Sequence, residues 1–215
     1  MRRQRVIGQG ILPPHFNSED RVETACTRVF CAPTELQQNI AINFCDNHAV
    51  SKSPLKLVAF DVGHTLVDER IDASTFIAPV RLMPDVREVL PQIHLPMAAW
   101  SNTRSAREAE VKQLLAAAGI GQFFTWIVTS VDAGYRKPHP SFFQFALRRC
   151  GVSAGELLFV GNQLNTDVCG GVQCGIKTVW VSGEAYRSPE DSGGNISPDF
   201  VIASLSELPA LVRQF

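Results

Sequence analysis

The chain lacks the features that would send it to a membrane, a nucleic acid or a structural metal. No segment approaches the roughly 18 to 20 apolar residues needed to cross a bilayer. Its 20 Lys+Arg stand against 21 Asp+Glu, a net charge of −1, so no global field draws it onto nucleic acid or an anionic lipid surface. The six cysteines (Cys26, Cys31, Cys45, Cys150, Cys169, Cys174) include no CxxC pair and no Cys/His spacing of a zinc site; they read as reduced thiols of a cytoplasmic protein. The opening MRRQRVIGQGILPPHF is basic but has no sustained apolar core, and Glu19, Asp20 and Glu23 soon follow, which argues against a secretory leader. With 45% hydrophobic and 19% charged residues over 215 positions, what remains is a globular composition sufficient for one core.

Two regions differ in texture. Residues 1–53 mix Pro13, Pro14, Gly8, Gly10, Asn17 and Ser18 with short apolar scraps and hold neither helical nor strand periodicity for long. They read as an N-terminal extension of low or partial order, with one weak helix around Thr34 to Phe44 and a boundary at Ser51-Lys52-Ser53-Pro54. Residues 54–215 are regular. Apolar runs of strand length fall at Leu55 to Phe60, Pro96 to Trp100, Trp126 to Thr129, Leu157 to Val160, Lys177 to Val181 and Phe200 to Ile202. Helical stretches lie between them: one from Pro84 through Val89 that Pro91 ends or kinks, one introduced by the capping-box spacing Ser105/Glu108 and closed by Gly119, then Ser141 to Cys150, Thr166 to Cys174 and Leu205 to Arg213. Strands alternating with helices predict a parallel α/β sheet covered on both faces.

In such a sheet ligands bind beyond the carboxyl ends of the strands. There the sequence places Asp61, then Ser101-Asn102-Thr103, then the loop AGYRKPHP (Ala133 to Pro140), then GNQLNTD (Gly161 to Asp167). A strand-end aspartate can attack an electrophilic phosphorus or carbon to give a covalent aspartyl intermediate that water releases. Lys137 would neutralise Asp61 and a bound anion, and Ser101 would donate a hydrogen bond to it. Asn162 and Asp167 are oxygen ligands suited to Mg²⁺ together with Asp61 and a backbone carbonyl, assigned to Gly63. Ser101, Asn102, Lys137 and His64 are the candidate substrate-binding groups.

Asp61-x-Gly63-x-Thr65-Leu66, Ser101-Asn102, Lys137-Pro138-x-Pro140 and Gly161-Asn162-x-x-x-x-Asp167, in that order and each after an apolar strand, resemble the four motifs of the haloacid dehalogenase (HAD) superfamily over roughly residues 55–185. The resemblance implies a Rossmann-like sheet, Asp61 as nucleophile, Ser101 and Lys137 holding the transferred group, and an acidic loop that helps to bind Mg²⁺. Most members are phosphatases. GNQLNTDVCGG looks like the signature of a capless phosphatase branch, and the span from Asp61 to Ser101 leaves no room for a sizeable cap domain. The expected partner is therefore a phosphorylated substrate, small or macromolecular, with oligomerisation left open.

Two positions depart from the family pattern. The second aspartate, which serves phosphatases as general acid and base, is Gly63; such a group is worth about 10² to 10⁴ in rate. The first aspartate of the fourth motif, a metal ligand, is Asn162, which implies weaker Mg²⁺ binding. Three readings follow: an Mg²⁺-assisted phosphatase of reduced or specialised activity, a catalytically impaired binding or regulatory protein of the same fold, and a 2-haloacid dehalogenase-like hydrolase, which the missing cap disfavours. His64, with an imidazole suited to proton transfer near neutral pH, is the candidate substitute for the absent acid.

Overall fold

Continuous apolar runs become strands buried on both sides. In the computed structural model, which describes residues 54–68, 80–187 and 196–215, six strands form one all-parallel sheet: β1 (Leu57–Asp61), β2 (Met97–Ser101), β3 (Phe124–Thr129), β4 (Leu157–Gly161), β5 (Lys177–Val181) and β6 (Phe200–Ile202). The order is β3-β2-β1-β4-β5-β6. Every residue of β1, β2 and β4 is buried, as expected of central parallel strands with both faces covered. The predicted Rossmann-like α/β sheet is thus the observed architecture.

Alternate residues supply two different layers. Val58 and Phe60 of β1, Met97 and Ala99 of β2, and Leu158 and Val160 of β4 face a mainly aliphatic core. It is covered by α1 (Val86–Val89), α2 (Glu108–Ala117) and, near the C-terminus, a helix at Leu208–Val212. Leu57, Ala59, Ala98, Trp100, Leu157 and Phe159 point the other way, onto Phe142 and Phe143 of the helix Pro140–Cys150. There Trp100 meets Phe142 and Phe143 edge-on with centroids 6.3 and 6.1 Å apart, a favoured aromatic geometry.

In chain order the remaining helices are α3 (Ser130–Ala133), α4 (Pro140–Cys150), α5 (Cys169–Gln173) and α6 (Leu208–Val212). The Pro84 helix starts two residues later than predicted, at Val86, and turns into a tight 3-10 turn at Leu90–Gln92 that contains Pro91. The expected Ser105/Glu108 capping box is not formed. Helix α2 begins at Glu108; Glu110 accepts from the Arg107 N–H at 2.9 Å and Asp132 accepts from the Glu108 N–H at 2.8 Å. A carboxylate from α3 thus caps α2, a partnership invisible to local spacing. Gly119 closes α2 as predicted: at φ 74° it lets the Ile120 N–H reach the Leu115 carbonyl at 3.0 Å.

Chain direction reverses its lateral march at β1. From β1 the chain steps to β2 and β3 on one side, then crosses to β4 on the other, so the crevice at the carboxyl ends of β1 and β4 is the topological switch point. Phe60 pairs with Val160 and Asp61 with Trp100, which brings Asp61, Ser101 and Gly161 to one edge. Between Asp61 and Met97 the described residues contribute only a tight turn, α1 and the 3-10 turn, with no cap-sized element among them. No helix among the described residues is long and apolar enough to cross a membrane. The expected extension 1–53, its Thr34 to Phe44 helix and Cys26, Cys31 and Cys45 lie outside the described residues.

Candidate active site

Asp61 is the last residue of β1, and the turn beyond it bends back on itself. The Val62 carbonyl accepts from both the Leu66 and Val67 N–H groups, at 2.9 and 3.0 Å, while the Val67 carbonyl accepts from the His64 N–H at 2.7 Å. His64 takes φ 57° to make this reversal. The curl buries Thr65 beneath the carboxylate, where its hydroxyl lies 3.1 Å from Asp61 Oδ2. Thr65 is therefore a direct partner of Asp61 as well as part of the turn.

Lys137 arrives from the loop between α3 and α4. Asn102 holds that loop with both ends of its amide: Nδ2 donates to the Lys137 carbonyl at 2.9 Å and Oδ1 accepts from the Lys137 N–H at 2.8 Å. The side chain then runs inward, over the Phe159 ring, until Nζ lies 2.6 Å from Asp61 Oδ1, 2.8 Å from Asp167 Oδ1 and 3.1 Å from the Trp100 carbonyl. An ammonium has three protons, and three oxygens surround it. Burial alone would push this lysine's pKa down; the Asp167 and Asp61 carboxylates outweigh burial and hold it above the ordinary lysine value.

Asp167 lies in an irregular turn, Leu164–Val168, that leads into α5. Its Oδ2 accepts from the Gln163 N–H at 3.1 Å. The carboxylate packs so tightly onto Gly161 that a Cβ there would come within 2.5 Å of Oδ2. Burial raises the Asp167 pKa to about 6; Lys137 opposes that rise, and the neighbouring Asp61 charge adds to it. Two carboxylates share one buried ammonium, and burial disfavours Asp167 as an anion.

The other side of Asp61 is built differently. Asn162, just past β4 and buried, lies with Oδ1 3.2 Å from Thr65 Oγ1 and donates through Nδ2 to the Tyr186 carbonyl at 2.7 Å. Reversing this amide would set two acceptor oxygens 2.7 Å apart, so the orientation is fixed. Among the described residues no backbone N–H donates to the Gly63 carbonyl, and no cluster of three His, Cys, Asp or Glu side chains could hold a metal.

The oxygens that could hold a cation are those of Asp61, Asn162 and the Gly63 carbonyl. The single Thr65 proton can be given to Asp61 Oδ2 or to Asn162 Oδ1 but not to both at once. An all-oxygen set with one charge fits a hard cation such as Mg²⁺, weakly held. Both Asp167 oxygens are already engaged, by Lys137 and by the Gln163 N–H.

Ser101 is buried at the end of β2, beside Thr129 in register. His64 directs Nδ1 toward Asp68 Oδ1, 4.0 Å away. Asp61, Lys137, Asn102, Asn162 and Asp167 form one bonded cluster, as their strand-end placement predicts, with Ser101 on the same edge. Sequence reasoning missed two participants. Thr65 could be found from its i,i+4 spacing to Asp61; the Tyr186 carbonyl could not, because a backbone group has no residue signature.

Residues 134–208 match the Hydrolase_like family, described as HAD-hydrolase-like. Over 140 residues the chain is 31% identical to glyceraldehyde 3-phosphate phosphatase of Methanopyrus kandleri, an alignment covering 65% of this chain and 60% of that protein. It is 28% identical over 141 residues to human (Homo sapiens) N-acylneuraminate-9-phosphatase, covering 65% of this chain and 55% of the relative. The chain thus spans somewhat more than half the length of these curated relatives. The fold superposes on the putative HAD-hydrolase YfnB of Bacillus subtilis, whose structure was determined bound to magnesium, with a TM-score of 0.61 and 17% identity, covering 74% of this chain and 99% of that one.

Proposed function

The chain belongs to the HAD superfamily, and on that premise we propose that it is a hydrolase acting on phosphomonoesters through an aspartyl-phosphate on Asp61. The observation that carries this reading is the Asp61–Lys137–Asp167 arrangement, a carboxylate at a strand end paired with a fully buried ammonium. The phosphatase names of the relatives support it.

The Asp61 carboxylate attacks phosphorus, the bond to the leaving oxygen breaks, and that oxygen takes a proton. Water then attacks the phosphorus of the acyl phosphate, the bond to Asp61 breaks, and inorganic phosphate leaves with the carboxylate restored. Lys137 pairs with Asp61 and offsets charge on the transferred group; Ser101 donates to one of its oxygens. Asp61, Asn162 and the Gly63 carbonyl would hold Mg²⁺, whose charge would offset that of the phosphoryl group. His64 supplies the leaving-group proton that no side chain at Gly63 can give. This role is motivated by its place one residue beyond Gly63 and its contact with Asp68.

Turnover of a phosphomonoester panel, with Mg²⁺ and with chelator, tests the reading against Asp61→Asn. We expect metal-dependent turnover that the variant loses entirely. Equal background rates from both proteins would sink it in favour of the second reading, a binding or regulatory protein of this fold, which the lack of an acid at Gly63 favours. In an active preparation His64→Ala should lower kcat by about 10²-fold for poor leaving groups and less for good ones. An unchanged kcat for both removes His64 from the mechanism.

A further inference from the structure

The loop after β5 is built as a strap, and its target is Asn162. It is tied at its start, where the Ser182 N–H donates to the Ile202 carbonyl at 2.9 Å, and it is packed so closely that a Cβ on Gly183 would lie 1.9 Å from the Ala203 carbonyl oxygen. At its far end Tyr186 is buried, its hydroxyl donating to the Pro84 carbonyl at 2.7 Å and its N–H to the Gly183 carbonyl at 2.9 Å. Trp180 Nε1 donates to the Asn162 carbonyl at 3.0 Å, so β5 and the strap hold the backbone and the side chain of Asn162 together.

We propose that Tyr186 is a positioning residue: its ring, pinned by Pro84, fixes its own carbonyl on Asn162 Nδ2 and so presents Asn162 Oδ1 to the Asp61–Thr65 corner. This deepens the metal reading of the site and rests on it. It also accounts for the residue type. A carboxylate at position 162 would set an oxygen against the Tyr186 carbonyl, at the 2.7 Å now spanned by a hydrogen bond. Only an amide can turn an oxygen toward a cation while donating to a carbonyl behind it. The departure at Asn162 is therefore matched to the strap.

The test uses the full chain and Mn²⁺ as the metal probe. In the nitrogen-15 labelled protein without metal, the Asn162 side-chain amide proton on Tyr186 should exchange with solvent about 100-fold more slowly than those of exposed asparagines. Tyr186→Phe keeps the ring but removes the bond to Pro84. It should speed that exchange and weaken Mn²⁺ binding, read from the free-Mn²⁺ paramagnetic resonance signal, by about 10-fold.

Rapid exchange in the wild type overturns the proposal, and decides the matter even if the variant fails to fold. So does a folded variant of lowered Tm whose Mn²⁺ affinity stays within about twofold of wild type, since that is a structural tyrosine and no more. A wild type that binds no Mn²⁺ at millimolar concentration also overturns it. The phosphatase reading is judged separately, by the Asp61→Asn comparison.

Discussion

The two sides of Asp61 are held in opposite ways. Toward β2 and α4, its Oδ1 meets a buried ammonium that also contacts Asp167 and the Trp100 carbonyl, at 2.6 to 3.1 Å, with Asn102 clamping the lysine's own backbone. Toward β4 and β5, its Oδ2 meets the Thr65 hydroxyl, and beyond that lie the Asn162 amide and the Tyr186 carbonyl. One side is strongly charged; the other is built from neutral groups. The lesson is that the charged half of this site needs its geometry to stay folded, whereas the neutral half can change composition without a charge being stranded in the core.

The contrast breaks most severely at Lys137. Replacing it with methionine leaves two buried carboxylates unpaired and should cost about 3 to 5 kcal/mol of stability along with all turnover. Urea unfolding of the variant would measure this, and a loss below about 1 kcal/mol would mean the ammonium is dispensable to the core.

The opposite half should tolerate, and profit from, an added acid. Gly63 is not among the glycines at positive φ, so its backbone accepts a side chain, and Gly63→Asp should raise kcat on phosphomonoesters by about 10²-fold with little change in Tm. A variant that folds but turns over no faster would show that the missing carboxylate does not limit this chain.

The smallest effect concerns pH. The folded-state pKa of Asp167 is raised from 3.8 to about 6, so the folded protein binds this proton more tightly than the unfolded chain does. Its contribution to stability is fully present below pH 3.8 and is lost as pH rises through about 6. Asp167→Asn should flatten that portion of the stability profile between those limits. Parallel profiles for variant and wild type would place the titration elsewhere.

How much was legible follows from the same division. The strands announced themselves because parallel strands buried on both faces must be continuously apolar, and Lys177–Val181 and Phe200–Ile202 are the predicted spans residue for residue. Asp61, Ser101, Lys137, Asn162 and Asp167 were legible because strand ends converge in this topology whatever the details. What was not legible depends on partners distant in sequence. Asp132 caps a helix that begins 24 residues earlier, and the Tyr186 carbonyl orients an amide 24 residues before it. Asn102, read as a substrate-binding group, gives both ends of its amide to the Lys137 backbone, a pairing that needs the two loops to be adjacent. Nor does local pattern explain Gly170 in α5, where a Cβ would strike the Phe143 ring at 2.1 Å.

The contact between Gly161 and Asp167 constrains the history open to such a site. With a Cβ at position 161 coming within 2.5 Å of Asp167 Oδ2, Gly161 cannot gain a side chain unless Asp167 moves, and Asp167 is in turn paired with Lys137. A side chain at Gly161 or the loss of the Lys137 charge therefore costs stability. Divergence is thereby channelled to Gly63 and His64, where one substitution at a time can be sampled, and new specificities would arise there first.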